Sequence, residues 1–267
     1  MQIITENNLR LDNKTIILTG AAGFIGSNSA RSLAMVGADL ILIDINRAKL
    51  NSLRKEIHNI VPCNIETIVA DITSATQRDR IIDHIRKNRI CIDVVINTTG
   101  MVGTSRESGW NTSFDKQKIG PWRKSLEINL TSIFFLIQSL EKYMQKSSDP
   151  SIINISSMYG SAVPDYQIYK DTNINNPAGY SISKAGLIYM TKWLATTLAP
   201  KIRVNCVSPG GIYRKQNKKF VSKYIKKTPL KRMATEEDIT GCILFLSSSL
   251  SKYMTGQNII VDGGWSL

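Results

Sequence analysis

The sequence has no paired cysteines, no long apolar run and few acidic residues, and each shortage excludes a class of protein. The four cysteines among 267 residues form no CxxC pair, which argues against a disulfide framework or a zinc site and indicates a reducing compartment. No apolar run reaches the roughly 18 residues of a membrane span. The opening MQIITENNLRLDNK also lacks the basic-then-apolar build of a signal peptide. We therefore expect a soluble, cytoplasmic protein without a metal site.

The shortage of acidic residues leaves a formal net charge of +13, which makes an anionic partner one option. Much of the excess lies in one segment that has no acidic residue and contains Arg214, Lys215, Lys218, Lys219, Lys223, Lys226, Lys227, Lys231 and Arg232. This segment is a solvated helix face, a surface for a phosphorylated or otherwise acidic substrate, or a docking site for an acidic carrier protein. No nucleic-acid-binding motif accompanies the charge, so we expect neither a nucleic-acid partner nor a membrane partner.

Short β-branched runs alternate with longer segments of helical period. The strand candidates are TIILTG, DLILID, IETIVAD, DVVINTTG, SIINISS, KIRVNCVSPGG and NIIVDGG, and the helix candidates are 24–36, 47–58, 75–87, 121–146, 178–198 and 236–248. Such alternation is typical of βαβ units, and nearly continuous apolar strands fit a sheet covered on both faces. The predicted fold is therefore α/β, a doubly wound Rossmann fold with a seven-stranded parallel sheet and helices on both faces. We expect one domain over residues 1–267, with an N-terminal tail at 1–10.

The first predicted strand leads into TGAAGFIGSNSARSL, with Gly20, Gly23 and Gly26 at the turn into a helix. Glycines there allow backbone N–H groups and the helix N-terminus to approach a pyrophosphate closely, although a tight turn alone could explain them. The second strand ends at Asp44, which is 18 residues beyond Gly26. A carboxylate there can accept hydrogen bonds from both ribose hydroxyls and would repel a 2′-phosphate, so Asp44 favours NAD as cofactor. Asp44 could also cap the next helix, and the nearby Arg47 keeps NADP as a less favoured option.

Tyr180 and Lys184 are four residues apart on a predicted helix, so their side chains project from one face. A free tyrosine has a pKa of about 10, and a nearby ammonium favours the phenolate. The pair can therefore act as a general acid or base, a role typically worth about a hundred- to ten-thousand-fold in rate. By itself, the YxxxK spacing is a common accident on an amphipathic helix.

A series of motifs in a fixed order carries a more specific signal. It comprises the glycine turn, AD at 70–71, NTTG at 97–100, Asn129 in EINLTSIFF, NISS from Asn154, YSISK from Tyr180, RVNCVSPGGI from Arg203 and GQNIIVDGGW near the end. In this order the motifs resemble the compact, single-domain branch of the short-chain dehydrogenase/reductase family. The resemblance covers nearly the whole chain from Leu11.

The resemblance implies a catalytic group and a cofactor-binding group. The catalytic residues would be Asn129, Ser157, Tyr180 and Lys184. Ser157 would hydrogen-bond the substrate oxygen and Tyr180 would move the proton, while Lys184 would hold the nicotinamide ribose and Asn129 would support a water relay. The cofactor-binding residues would be Gly20, Gly23, Phe24, Ile25, Gly26, Asp44, Asp71, Ile72, Asn97, Gly100, Tyr180, Lys184, Pro209, Gly210 and Ile212.

Within that cofactor group, Asp71 and Ile72 would flank the adenine, Asn97 and Gly100 would support the ribose, and 209–212 would face the nicotinamide. Two of these residues also have a purely structural interpretation. Ser157 could be a turn hydroxyl, and Asn129 could be a buried helix amide satisfied by the backbone.

Two positions depart from the compact pattern. Phe24 stands where compact members usually have glycine, and the resulting spacing is more typical of the larger nucleotide-sugar epimerases and dehydratases of the same superfamily. The chain lacks their added C-terminal substrate domain. The threonine often found shortly after the PG motif is also missing, with Tyr213 and Arg214 there instead, which puts the usual contact with the cofactor carboxamide in doubt.

Ser157 and Tyr180 are 23 residues apart, whereas compact relatives usually place them about a dozen residues apart. The additional residues form an insertion at 158–179, which we expect to arch over the nicotinamide pocket or to form a surface or subunit-contact loop. Its polar and aromatic residues suit a polyhydroxylated ligand; they are Tyr159, Asp165, Tyr166, Tyr169, Lys170, Asp171 and several asparagines.

The insertion and the tail TGQNIIVDGGWSL are similar to those of oxidoreductases from bacterial surface-sugar pathways, including flagellin glycosylation and the synthesis of sialic- or legionaminic-acid-like sugars. We therefore predict interconversion of a secondary alcohol and a ketone on a sugar or sugar derivative, free, phosphorylated or nucleotide-linked. The basic segment 212–232 would be its anion-facing lid.

Two other functions remain open at the level of sequence. The first is a 3-oxoacyl carrier-protein reductase that uses the basic surface for its acidic carrier. The second is a catalytically inactive anion-binding protein. The family resemblance also implies a homodimer or homotetramer packed through the long helices that contain Asn129 and Tyr180.

Overall fold

A parallel sheet of seven strands forms the centre of the computed structural model, which describes residues 5–172 and 174–267. The strands are β1 (Thr15–Thr19), β2 (Asp39–Asp44), β3 (Ile65–Val69), β4 (Val94–Asn97), β5 (Ser151–Ile155), β6 (Arg203–Pro209) and β7 (Asn258–Val261). They lie in the order β3-β2-β1-β4-β5-β6-β7, which reverses direction between β1 and β4 as a doubly wound sheet does. The predicted fold class is confirmed. Residues 1–4 of the predicted tail and Asn173 of the insertion lie outside the described residues.

Helices cover both faces of the sheet. They are α1 (Phe24–Met35), α2 (Arg47–His58), α3 (Ala75–Lys87), α4 (Ile119–Leu126), α5 (Ser132–Met144), α6 (Ala178–Leu198), α7 (Lys218–Lys227) and α8 (Glu236–Ser247). One buried core joins the sheet to α1, α2 and α8, and a second joins it to α3, α5 and α6. Alternate residues of β1 enter opposite cores, with Ile16 and Leu18 in one and Ile17 in the other. A strand buried on both faces needs apolar residues at successive positions, which explains the runs in the sequence.

The helix predicted at 121–146 is not one continuous α-helix. A π-helical turn, Glu127–Thr131, separates α4 from α5 and contains Asn129. The Asn129 side chain accepts a hydrogen bond from the Met101 backbone N–H at 2.7 Å and donates to the Met101 carbonyl at 3.1 Å. These contacts tie the turn to the neighbouring loop, and periodicity alone does not reveal such a local change of helix type. π-Turns inside α-helices frequently occur at functional sites.

A row of polar side chains crosses the centre of the sheet. Asn97 on β4 donates to the Oδ1 atom of Asn154 on β5 at 2.9 Å, and Asn154 donates to the Thr191 hydroxyl on α6 at 3.0 Å. All three residues are almost completely buried, so each hydrogen bond satisfies groups that water does not reach. The row positions α6, which carries Tyr180 and Lys184, against β5, which Ser157 follows.

We predict that Asn154→Ala lowers the free energy of unfolding by about 2 to 3 kcal/mol, because it leaves the buried Asn97 amide without its acceptor. Urea unfolding followed by circular dichroism measures the loss. Ser139→Ala is the matched control, since it also removes a side-chain hydrogen bond, to the Phe135 carbonyl, but on an exposed helix face. A loss no greater than that of the control would contradict the structural role of the row.

Candidate active site

Two adjoining cavities lie along the carboxyl edge of the sheet, at the ends of the neighbouring strands β1 and β4. The first has a volume of about 620 Å³ and is lined in part by Gly20, Asp44 and Asp71. The second has a volume of about 500 Å³ and contains Tyr180. Thr98 and Gly100 line both cavities. Ligands of open α/β sheets bind in such a crevice at the point where the strand order reverses.

The glycine turn between β1 and α1 is shaped so that side chains cannot replace Gly20 or Gly26. Gly20 has φ of +66°, and a Cβ atom there would lie 2.7 Å from the Thr99 backbone nitrogen. A Cβ atom on Gly26 would collide with the Gly20 carbonyl oxygen. Gly23 is the N-cap residue of α1 and has no side chain to occupy the helix end. The first N–H groups of α1 are therefore accessible to an anion, and the turn fits the pyrophosphate of a dinucleotide.

Asp44 at the end of β2 has a carboxylate that lines the first cavity. One oxygen accepts a hydrogen bond from the Ala22 N–H at 3.0 Å, and the other accepts from the Asn46 N–H at 2.9 Å. The alternative that Asp44 caps α2 is wrong, because Asn46 is the N-cap and accepts from the Lys49 N–H at 3.0 Å. The carboxylate is thus oriented by the glycine turn itself. Its remaining lone pairs suit two ribose hydroxyls, so the residues present fit a dinucleotide.

The other residues of the predicted cofactor group have different locations. Asp71 and Ile72 line the first cavity, whereas Ile25, Pro209, Gly210 and Ile212 line the second. The side chain of Asn97 is buried within the sheet, where it pairs with Asn154. Only the backbone of Asn97 could therefore make the predicted contact with the ribose. Phe24 lies at the start of α1 with 65% of its surface exposed.

Ser157, Tyr180 and Lys184 are brought together at the base of the second cavity. Ser157 follows β5, while Tyr180 and Lys184 lie on one face of α6 near its start. The Ser157 side chain lies close enough to the Tyr180 phenol to lower its pKa, and the Ser157 hydroxyl accepts a hydrogen bond from the Tyr159 N–H at 3.2 Å. Lys184 donates to the Ile155 carbonyl at 2.8 Å. Ser157 thus has both interpretations at once, since it caps a turn and also contacts the proposed acid or base.

Burial shifts the pKa of both ionisable groups on α6. It lowers the pKa of Lys184 to about 8, because the charged ammonium loses its hydration. Burial raises the pKa of the Tyr180 phenol, while the nearby Ser157 side chain and the positive charge of Arg214 act in the opposite direction. Near pH 7 the lysine therefore remains mostly cationic and the phenol neutral. The neutral phenol is the form that can donate a proton to a substrate carbonyl.

Both N–H donors of the Asn129 side chain are already used by protein groups. Besides its two bonds to Met101, the side chain donates to the Ser183 hydroxyl at 2.9 Å, and Ser183 in turn donates to the Tyr180 carbonyl at 2.8 Å. The amide is satisfied by backbone and hydroxyl groups, as its structural interpretation states. A relay towards Lys184 would use the Asn129 backbone carbonyl, and that role stays a prediction.

The sequence interpretation missed an aromatic wall of the second cavity. Phe220 and Tyr224 on α7 face inward and pack with Met158, Tyr169 and Trp265 in a buried cluster. Burial raises the pKa of Tyr224 to about 12, and its hydroxyl accepts a hydrogen bond from the Gly211 N–H at 2.6 Å. The spacing of Phe220 and Tyr224, at i and i+4, was the signal for this inner face. The many surrounding lysines obscured it.

The insertion is docked on α7 through the basic residues. Lys223 donates to the carbonyl oxygens of Gln167 and Lys170 at 3.2 and 2.6 Å, and Lys227 pairs with Asp165 at 3.2 Å. Tyr159, Tyr169 and 174–176 of the insertion line the second cavity, and the two tyrosine hydroxyls are 2.7 Å apart. Part of the positive charge of the basic segment therefore joins the insertion to α7.

Three further basic residues of the segment also have internal partners. Arg214 pairs with Glu236 and Arg232 with Asp238, while Lys231 donates to the Lys226 carbonyl. Among the described residues, Lys215, Lys218, Lys219 and Lys226 have no side-chain hydrogen bond or ion pair. The positive electrostatic potential that this segment presents to solvent is therefore weaker than its formal charge indicates.

Over the residues that the structure describes, no group of three or more His, Cys, Asp or Glu side chains is placed to hold a metal ion. Nor does any helix in residues 5–172 and 174–267 combine the length and apolar character that crossing a membrane requires.

Comparison with known proteins agrees with this geometry. A family model described as Enoyl-(Acyl carrier protein) reductase matches residues 20–266. Post-translational flagellin modification protein A of Campylobacter coli is 33% identical, over 96% of this chain and 100% of its own length. The 3-oxoacyl-[acyl-carrier-protein] reductase FabG of Thermotoga maritima is also 33% identical, over 96% of this chain and 99% of its own length.

Two solved structures with a bound dinucleotide superimpose closely. A short chain dehydrogenase from Leptospira borgpetersenii with bound NAD+ has 32% identity and a TM-score of 0.85, over 100% of this chain and 98% of that chain. A 3-oxoacyl-[acyl-carrier protein] reductase from Brucella melitensis with bound NAD has 26% identity and a TM-score of 0.84, over 100% and 97% of the two chains. Both the sequence and the fold match these relatives over nearly the full chain. The structure also brings the tyrosine, the lysine and the serine together in one cavity. The chain therefore belongs to the short-chain dehydrogenase/reductase family and is an oxidoreductase.

Proposed function

We propose that the protein interconverts a secondary alcohol and a ketone on a sugar or sugar derivative, with NAD as the cofactor. The observation that carries the proposal is the second cavity, where Ser157 and Tyr180 lie beneath a wall built by the insertion. The full-length similarity to a flagellin modification protein supports a role in surface-sugar metabolism.

The residues around the cavity have complementary roles in this reaction. Bound NAD would accept or supply the hydride at the substrate carbon. Ser157 would hold the substrate oxygen, and Tyr180 would exchange a proton with it. The Lys184 ammonium, fixed to the end of β5, favours the phenolate when Tyr180 gives up its proton. Ser157 and Lys184 are buried, and the lower effective dielectric around them strengthens these interactions.

The composition of the wall supports a sugar over a wholly apolar substrate. Tyr159 and Tyr169 bring hydroxyl groups to the cavity, and Asn175 and Asn176 bring polar atoms next to aromatic rings. A sugar ring presents hydroxyls at its edge and C–H groups on its faces, so it needs both kinds of contact. The inner face of α7 supplies the flat apolar surface through Phe220.

A 3-oxoacyl carrier-protein reductase is the second candidate. The Thermotoga reductase is as similar in sequence as the flagellin modification protein, and the outward lysines of α7 could face an acidic carrier. A catalytically inactive anion-binding protein is not supported, because the catalytic residues are assembled in a cavity and much of the basic charge has internal partners.

Assays with NAD test the two enzymatic candidates. We expect NADH formation with at least one member of a panel of free, phosphorylated and nucleotide-linked sugars, recorded by absorbance. Oxidation of added NADH or NADPH in the presence of acetoacetyl thioester, with no activity on any sugar of the panel, would instead assign the carrier-protein function.

The Tyr180→Phe variant serves as the matched control in these assays, because it removes one hydroxyl and leaves the ring in place. We predict a fall in kcat of about a hundred- to ten-thousand-fold, since the proton has no other donor or acceptor of comparable position. Wild-type turnover by Tyr180→Phe would show that the tyrosine is not the acid or base.

Asp44 should determine the choice of cofactor. We predict that Asp44→Asn lowers the preference for NAD over NADP by about tenfold or more, because the variant loses charge-assisted hydrogen bonds to the ribose and the repulsion of a 2′-phosphate. Calorimetric affinities for both dinucleotides give the ratio, and Asp79→Asn on the exposed face of α3 is the control. An unchanged ratio in Asp44→Asn would refute this assignment.

We also propose that the protein forms a homodimer or homotetramer through α5 and α6. These helices expose Phe135, Tyr189 and Trp193, with 43%, 72% and 49% of their surfaces accessible. The rings of Phe134 and Trp193 pack at 6.1 Å, which joins the two helices into one apolar face. Faces of this kind mark interaction sites.

Light scattering after gel filtration should give a mass of two or four chains for the wild type. We predict that Trp193→Glu shifts this mass towards one chain, whereas Ile60→Glu, which alters an exposed apolar residue beyond α2, does not. A wild-type protein that elutes as one chain would contradict the proposed interface.

A further inference from the structure

The two positions that depart from the compact family pattern contact each other. The guanidinium carbon of Arg214 lies 4.3 Å from the centroid of the Phe24 ring, which is within the range of a cation–π interaction. Phe24 is the first residue of α1, and Arg214 follows β6. The contact therefore spans from the glycine turn to the segment after the PG motif. Phenylalanine in place of glycine and arginine in place of threonine form one structural unit.

Arg214 is held in this place by further contacts. Its Nε atom donates to Glu236 in the first turn of α8 at 3.0 Å, and its backbone N–H donates to the Gln216 side chain at 2.7 Å. Its two terminal nitrogens donate to no described residue, and the side chain lines the second cavity. A fixed guanidinium with free donors is a ready site for an anion.

The anion that this position fits is a pyrophosphate. The glycine turn offers backbone N–H groups at the start of α1, and Arg214 lies over the first residue of the same helix. A planar guanidinium can bind phosphate oxygens with two donors, which a threonine hydroxyl cannot do. Its positive charge is also felt at Tyr180, where it opposes the effect of burial on the pKa. The charge is therefore directed into the cleft.

We propose that Arg214, stacked on Phe24, binds the pyrophosphate of the dinucleotide from across the cleft. This inference rests on the proposed use of a dinucleotide cofactor. It is independent of which substrate the enzyme takes.

Binding measurements test the inference without any assay of activity. Calorimetry compares NAD, ADP-ribose and adenosine, which share the adenosine moiety, although only the first two contain the pyrophosphate. We expect Arg214→Thr to weaken NAD and ADP-ribose by about tenfold or more and to leave adenosine unchanged. Arg214→Lys keeps the positive charge without the planar guanidinium. Its affinity for NAD and ADP-ribose should lie between those of the wild type and Arg214→Thr.

Phe24→Leu tests the stacking, because it removes the aromatic face and retains an apolar side chain. We expect this substitution to lower the affinity for ADP-ribose by about two- to fivefold when it is made in the wild-type protein. In the Arg214→Thr background it should have no further effect. Lys215→Asn is the matched control, since it removes a neighbouring exposed positive charge and asparagine tolerates the positive φ of +58° at this position. It should leave ADP-ribose affinity unchanged.

Two results would overturn the inference while leaving the proposed function intact. One is equal ADP-ribose affinity in Arg214→Thr and the wild type, including the case in which only the KM of a sugar substrate rises. The other is an equal loss of adenosine affinity, which would indicate general damage to the cleft. Failure of the wild type to bind any dinucleotide would overturn both the proposed cofactor and this inference.

Discussion

The Lys184 ammonium is buried at the end of β5 and donates a hydrogen bond to the Ile155 carbonyl. The residue that follows this strand, Ser156, donates from its hydroxyl to the Lys184 carbonyl at 2.8 Å, so α6 and the end of β5 are joined by hydrogen bonds in both directions. Ser157 and Tyr180 lie on either side of this junction. Their separation, and the reduced pKa of the lysine, both depend on the close approach of one helix to one strand end.

The two features that the sequence left without a clear role belong to the same wall of the site. The insertion and α7 pack through Tyr169 and Phe220, whose ring centroids are 5.5 Å apart. Lys223 of α7 binds backbone carbonyls of the insertion, and Lys227 pairs with the Asp165 side chain. Some positive charges of α7 thus hold the insertion in place, and others are available to bind an anionic ligand. A substrate would meet aromatic faces and tyrosine hydroxyls on this side and the catalytic group on the other. The identity of the substrate therefore depends on how these two segments pack together.

Most of the fold could be predicted from sequence because its signals are local. The strand and helix patterns reflect burial on one or two faces, and α2, α3 and α6 have the predicted bounds. The π-turn at Asn129 was not predictable in this way, since it depends on hydrogen bonds to Met101 from a loop distant in sequence. The role of Asn97 was similarly obscured: the motif implied a cofactor contact, but the side chain pairs with Asn154 inside the sheet.

The sequence by itself determined the order of the strands and helices, the positions of the glycine turn and the spacing of Tyr180 and Lys184. These features follow from short-range periodicity and from the steric needs of single residues. Only the tertiary structure decided that Phe24 meets Arg214, that Asn46 rather than Asp44 caps α2, and that lysines of α7 bind the insertion. Such contacts join segments whose relative placement depends on packing, and no local pattern in the chain records which distant partner a side chain will reach.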